Sequence, residues 1–507
     1  MFSPEEFRLF QRAEDFLWAV RCNLHFIVKR ADDRLTFDVQ QEMAERMGYA
    51  DRRGMLGVER FMKRYFLVAK DVGDLTRIFC TSLEFEHVKS VDSFGRVFRS
   101  FRKSRQAIRG ESDFVLERGR ITTAAPDVFE KDPTNLIRIF WVAGREGVLF
   151  HPDALKEITR SMRLVNAELR NDARANAYFL DILTSPRFVE RILRAMNEAG
   201  VLGRFVPDFG KIVALMQFNM YHHYTVDEHL IRSVGVMAQI ENGGLRDELP
   251  LTYELLPHLS DVKLLYVALF LHDIAKGRPE DHSVAGEQVA RRLCPRFGLS
   301  PADTETVAWL IRHHLVMSEV AQSRDIQDPE TAQNFAAIVQ SPQRLAFLMI
   351  LTACDIRAVG PGVWTGWKGS LLRALYYATE PILSGGHSTV SQHDRVTADF
   401  EAYAARHYPN YWLRVERDLQ VDHARMIANA ARQGSVFAGS SKIKAFEAIT
   451  EVSFYTPDHP RLLSLIAGAC TMADASIIGA QIFNTRDGHA LDTFRLRRAF
   501  TSDEDEK

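Results

Sequence analysis

"DVKLLYVALFLHDIAKGRPEDHS" (residues 261–283) opens on an aspartate, runs through unbroken apolar residues from Leu264 to Leu271, and closes on a histidine–aspartate pair before a glycine. Aspartate before such a run and glycine after it are helix start and stop signals, so the stretch predicts a helix capped by Asp261 and ended at Gly277. The run falls well short of the ~20 residues that cross a bilayer. It reads as a core helix, and the fold around it is expected to be mainly α. His272 and Asp273 then sit in its last turns. Neighbours on a helix diverge by about 100°, so both can reach one ion only at a seam with other helices. Unless other helices supply ligands, the pair is simply two polar residues at a helix end.

Upstream, "MYHHYTVDEHLIRSVGVMAQI" (220–240) carries a capping box, Thr225-x-x-Glu228, that places His229 in the first turn of an otherwise apolar helix. Alone, such a residue is more often a satisfied core histidine. Downstream, "FLMILTACDIRAVG" (347–360) brings Asp355 to the end of another apolar helix, where an unpaired carboxylate is costly to bury. One His, a His-Asp pair and a distant Asp together supply imidazole and carboxylate donors suited to Mn, Fe, Zn or Mg. Asp281-His282-Ser283 and His313-His314 in "AWLIRHHLVMS" (308–318) add imidazoles for a second ion. Each has a plainer reading: His282 can open the next helix as a cap, and one of two adjacent histidines must point partly away. Lys276 is placed to offset phosphate charge, or to sit exposed at the negative helix end.

The sequence has no Ser or Cys nucleophile beside an evident base, no GxxxxGK[ST] loop and no GxGxxG after a strand. Water is the natural nucleophile. Metal ions lower the pKa of bound water and clamp phosphoryl oxygens, so the expected chemistry is hydrolysis of a phosphate ester or phosphodiester.

The 507 residues call for two to four domains. Hydrophobic content of 46%, charged content of 26% and a net charge of −2 give no overall attraction to nucleic acid or to a membrane surface. No leader pattern opens the chain, and a cytoplasmic location is expected. Cys22, Cys80, Cys294, Cys354 and Cys470 lie far apart without CxxC, which signals neither a disulfide framework nor a thiolate zinc cage.

Four regions follow. Residues 1–205 are dominated by helical periodicity and are expected to be all-helical. They include the basic stretch "GRVFRSFRKSRQAIR" (95–109), read either as a solvated helix face or as a grip on phosphates. Residues 206–385 stay helical but are crowded with histidine between Tyr221 and His314. Residues 386–445, entered through the Gly/Ser-rich "SGGHSTVSQHD" (384–394), are expected to be linker and helices. In 446–507 the period changes from helix to strand: "AITEVSFYT", a Pro-led helix, then "SIIGAQIFNT" and "HALDTFRLRRA" joined at "RDG". That β-α-β-β order is a partial α+β, ferredoxin-like unit.

The order His229, His272-Asp273, Asp355 resembles the HD superfamily of metal-dependent phosphohydrolases. The longer strings "MYHHYTVDEHL", "LFLHDIAKGRPEDHS", "HHLVMS", "CDIRAVGPGVWTGWKGSLL" and "TPDHPRLLSLIAGAC" are similar to the bifunctional PII uridylyltransferase/uridylyl-removing enzymes. That resemblance implies a nucleotidyltransferase domain that adds UMP to a tyrosine of the PII signalling protein. It also implies an all-helical HD domain that removes UMP hydrolytically with a divalent metal, Mg or Mn, and C-terminal ACT domains that sense glutamine. On the resemblance, His229, His272, Asp273 and Asp355 are primary ligands, His282, His313 and His314 serve a second ion, and Asp273 and Lys276 act catalytically. Asp458, at the "PDHP" turn, is the candidate glutamine contact. The Gly-Ser turn and Asp-x-Asp pair of the transferase domain are absent here, and a second ACT unit is expected to be missing too. The alternatives are a silent regulatory or PII-binding fragment, or an HD phosphohydrolase acting on a free nucleotide.

Overall fold

The computed structural model describes residues 4–90, 105–216, 224–384 apart from Gln327, and most of 403–497. Most of the basic stretch, the residues just ahead of Tyr224, most of the Gly/Ser break and the acidic tail lie outside the described residues. The chain forms two compact units, Met1–Leu315 with Ala346–Val363, and Val316–Leu345 with Trp364–Lys507.

The first unit opens with α1 (Pro4–Val28), α2 (Phe37–Arg46) and α3 (Gly57–Ser90), which bury Val20, Leu24, Met43, Phe61 and Met62 among themselves. The region is not all-helical, as the periodicity alone predicts. A small sheet follows, β1 (Gln106–Ala107), β2 (Phe114–Glu117), β3 (Arg120–Thr123) and β4 (Leu149–Phe150), ordered β1-β2-β3-β4 with β3 and β4 parallel. Its cause is local. Arg118 and Gly119 both take left-handed backbone, with φ of 53° and 75°, the two-residue geometry that closes a twisted hairpin. The hairpin register pairs Leu116 with Ile121 and leaves Phe114 and Ile121 wholly buried.

Behind this sheet lie α4 (Asn135–Glu146), α5 (Ala173–Leu183) and α6 (Val189–Glu198), and then the helices that carry the histidines: α7 (Val226–Glu241), α8 (Lys263–Leu271), α9 (His282–Arg296) and α10 (Pro301–His313). Ala346–Val359 of α11 (Pro342–Val359) completes the unit. Every residue of α8 from Leu264 to Leu271 is buried, as a helix apolar all round must be. Phe270 stacks on Phe209 at 5.3 Å between ring centroids and meets Phe179 edge-on at 5.7 Å.

Helix α8 is shorter than the sequence predicts. Asp261 accepts the Lys263 N–H at 2.9 Å just ahead of α8, but α8 stops at Leu271 with His272 as its C-cap, and Gly277, φ 77°, closes the turns that follow rather than the helix itself. Asp281 accepts the Ser283 and Val284 N–H groups at 3.0 Å each, fixing the first turn of α9. The Asp281→Ala variant is therefore expected to lose about 1 kcal/mol of stability, read as a shift in the urea midpoint; no shift would mean the cap contributes nothing. The capping box on α7 does not form. Thr225 occupies the N-cap position without a side-chain cap bond, and Glu228 instead meets Arg194 at 2.7 Å. A charge-assisted bond to guanidinium outcompetes one to a neutral amide.

In the second unit, helices Val316–Ser323 and Pro329–Val339 pack against α12 (Gly366–Leu383). The C-terminal strands and helix appear in the expected order: β6 (Ile449–Pro457), α14 (Leu462–Met472), β7 (Ile477–Asn484) and β8 (His489–Arg497). The sheet is nevertheless a full four strands. β5 (Ala438–Lys444) joins it ahead of the expected boundary at 446, pairing from Ala438↔Tyr455 to Lys444↔Ile449, in the antiparallel order β5-β6-β8-β7. "AGSSKIK" was hidden because an edge strand tolerates polar residues on both faces. The segment expected to hold linker and helices provides α13 (Arg417–Gln433), whose Leu419, Met426 and Ile427 pack with Tyr455, Phe483 and Leu491 of the sheet. No residue of α14 is buried. Among the described residues no single helix is long and apolar enough to cross a membrane, and the described cysteines are free thiols.

Candidate metal centre

Five helix ends and faces of the first unit converge on one point. His229 comes from the first turn of α7, His272 and Asp273 from the end of α8, and His282 from the first residue of α9. His314 follows α10, and Asp355 lies on α11. The convergence follows from the caps and apolar runs. Each helix buries its apolar face against α8 or a neighbour, and the polar ends are left facing a common interior point.

The side chains sort into two trios whose ligand atoms lie within 4.8 Å of one another: His229, His272 and Asp355, and Asp273, His282 and His314. In the first, His229 Nε2 stands 3.0 Å from Asp355 Oδ1 and 3.2 Å from His272 Nε2, and His272 Nε2 is 3.6 Å from Asp355 Oδ1. In the second, Asp273 Oδ1 is 3.7 Å from Nε2 of both His282 and His314. The other oxygen of Asp273, Oδ2, faces the first trio at 3.6 Å from His272 Nε2 and 3.8 Å from His229 Nε2. One carboxylate therefore stands between both sets.

The donor chemistry fits cations. His272 Nδ1–H donates to the Leu269 carbonyl at 2.9 Å, and His314 Nδ1–H to the Ile311 carbonyl at 2.7 Å. Both tautomers are thereby set, with the Nε2 lone pair turned inward toward carboxylate oxygens. Lone pair facing lone pair in a buried space is unfavourable without a positive charge between them. Asp273 Oδ1 and His282 Nε2 are buried with no hydrogen-bond partner, which is costly unless a cation completes them. His229 and His272 are 3% and 0% exposed, so these donors sit in the interior of the unit.

Electrostatics point the same way. Burial works to raise the Asp273 carboxyl, but the Lys276 ammonium and the surrounding imidazoles hold it well below the usual carboxylate range. Asp355 is likewise held low by His272 and His229 against its burial. Burial pushes His282 down and, with the neighbouring His272 charge, takes His314 to about 4. Both rings are therefore neutral at physiological pH, the form that can offer a lone pair to a cation. His272 runs the other way. Burial acts to lower it, yet the carboxylates of Asp273 and Asp355 outweigh that and raise it.

Lys276 Nζ lies 2.6 Å from Asp273 Oδ2, one turn along from it. His313 stays out of both trios. Its ring packs against Trp309 at 4.9 Å between centroids, because adjacent helical residues diverge. Asp458 belongs to the other unit, where Oδ2 accepts the Asn484 amide at 3.0 Å ahead of α14. Sequence reading missed the supports. The carbonyls of Leu269 and Ile311 orient their histidines, and Arg194 grips Glu228 beside His229. The i−3 carbonyl is a local signal, whereas Arg194 is distant in sequence.

Three family models match the chain: "GlnD PII-uridylyltransferase" over residues 1–80, "Uridylyltransferase GlnD third domain" over 114–205, and "HD domain" over 226–349. All six residues of the two trios except Asp355 fall within the HD match. Among solved structures, a tRNA-processing enzyme (apo form 2) is 14% identical over 46% of this chain, with a TM-score of 0.32. The match spans 57% of that structure's length and is too slight to carry any argument.

Proposed function

The chain carries three domains of the GlnD uridylyltransferase family, and from that premise we propose that its HD domain hydrolyses the tyrosyl-UMP phosphodiester of a uridylylated PII protein. The observation that carries this reading is Asp273, whose two oxygens face one trio each while Oδ1 has no partner of its own. An HD domain with two buried His/Asp clusters is a metal-dependent phosphohydrolase site. The PII substrate is the finer step, and family membership supports it.

His229, His272 and Asp355 would hold one divalent ion, Mg or Mn, with Asp273, His282 and His314 holding a second. A bound ion supplies a water of lowered pKa and charge stabilisation for the phosphoryl oxygens. The residues do the rest. Lys276 keeps Asp273 Oδ2 anionic and fixed in direction, so that the carboxylate would stay aimed between the two trios and orient the attacking water. The new bond joins water oxygen to phosphorus as the bond to the tyrosine oxygen breaks; the tyrosine leaves as a phenol and UMP is released. The low exposure of His272 and Asp273 keeps bulk water away from the reacting atoms. Glutamine as effector belongs to the same reading. It is supported by the β6-α14-β7-β8 order around a four-stranded sheet, and calorimetric titration with glutamine tests it.

Purified chain incubated with uridylylated PII is expected to release UMP, to stop when chelator is added, and to recover with Mn or Mg. Release that survives chelation, or hydrolysis only of free nucleotides, would overturn the assignment.

A further inference from the structure

A cavity of about 790 Å³ opens between β3 and β4, the turn at Pro186–Phe188, α6, and the second half of α7. None of its lining residues belongs to either metal-ligand trio. It lies at the seam of the segments 114–205 and 226–349, a common place for ligand sites.

Its wall is rich in guanidinium. Arg120, Arg187, Arg191 and Arg194 all line it, against two acids, Glu190 and Glu198. Arg194 is already committed, at 3.0 Å to Glu190 and 2.7 Å to Glu228. The donations of Arg120 and Arg191 go to backbone carbonyls, Arg120 to Phe150 at 3.4 Å, and Arg191 to Val148 at 3.2 Å and to Ala143 at 3.5 Å. Among the described residues no carboxylate pairs with Arg120, Arg187 or Arg191. Beside these cations sits apolar surface: Leu149, 55% exposed, with Phe150, Pro186 and Phe188. Phe188 packs directly over Gly144, where a Cβ would stand 2.5 Å from its ring.

We propose that this cavity binds an organic phosphate of nucleotide size. The forks of Arg120, Arg187 and Arg191 take the phosphate oxygens, and Leu149, Phe150 and Pro186 cover the apolar part. Guanidinium matches phosphate in bidentate geometry and gives up its hydration more readily than ammonium does. The volume lies within the range of small-molecule sites. A ligand seated there would rest against Arg194, which grips Glu228, the residue before His229.

The test is calorimetric titration of the full chain with ADP in chelator, so that the metal centre cannot capture phosphate. Arg187→Glu with Arg191→Glu alters two exposed side chains and is expected to weaken binding by roughly tenfold or more. Asp273→Asn should bind ADP as the unaltered chain does. No binding at millimolar ADP, equal affinity in the double arginine variant, or adenosine binding as tightly as ADP would each overturn the proposal. Because this measurement needs no hydrolysis, its failure is distinct from failure of the hydrolase reading.

Discussion

Replacing His272 and Asp273 together by alanine is expected to bring UMP release down to background, a loss of at least roughly 10³-fold. His272 Nε2 faces Asp355 and His229 in the first trio, while Asp273 faces both trios and is held by Lys276. Removing the pair would strip one candidate ligand from each set. Because both residues are buried, the variant must also be shown to keep its helical circular dichroism. Two near-isosteric changes, His229→Gln and Asp355→Asn, guard against a folding artefact. Each leaves the volume almost unchanged and should lower bound metal and turnover together. Turnover at the original rate in any of these folded variants would sink the assignment.

Phe270→Ala is expected to cost about 3–5 kcal/mol, the range for removing a large buried aromatic side chain. The ring is fully buried, stacks on Phe209 at an interplanar angle of 9° and meets Phe179 edge-on. Its loss leaves a cavity among helices whose ends set the ligand positions. Phe270 also stands on α8 just ahead of the His272-Asp273 pair, so metal affinity should fall along with stability. The stability measurement is urea unfolding followed by fluorescence and circular dichroism, fitted for two transitions because the chain has two units. A destabilisation below about 1 kcal/mol would show that the ring is not part of the cooperative core.

Where the sequence was readable, the signal was local. Asp261 accepts a backbone N–H just ahead of the helix it precedes; the cap of α9, by contrast, is Asp281 rather than His282, and α8 ends at Leu271, short of Gly277. Where the reading failed, the deciding partner lay elsewhere. Thr225-x-x-Glu228 has the form of a capping box, yet Arg194 from another helix claims the glutamate. The Arg118-Gly119 hairpin was present in the letters but was outvoted by helical periodicity on both sides. β5 has no apolar alternation at all, and only its pairing along β6 makes "AGSSKIK" a strand.

By itself the sequence determined a mainly helical chain with an α+β end, because apolar spacing and caps act within a few residues. It also marked His229, His272, Asp273, His282, His314 and Asp355 as candidate ligands, since polar residues ending buried helices need a partner. It could not say which of His313 and His314 turns inward, nor that the candidates divide into two trios with Asp273 between them. Those facts depend on how five helix segments cross and on which backbone carbonyl orients each imidazole. Such contacts join residues far apart in the chain, and only the packed core fixes them.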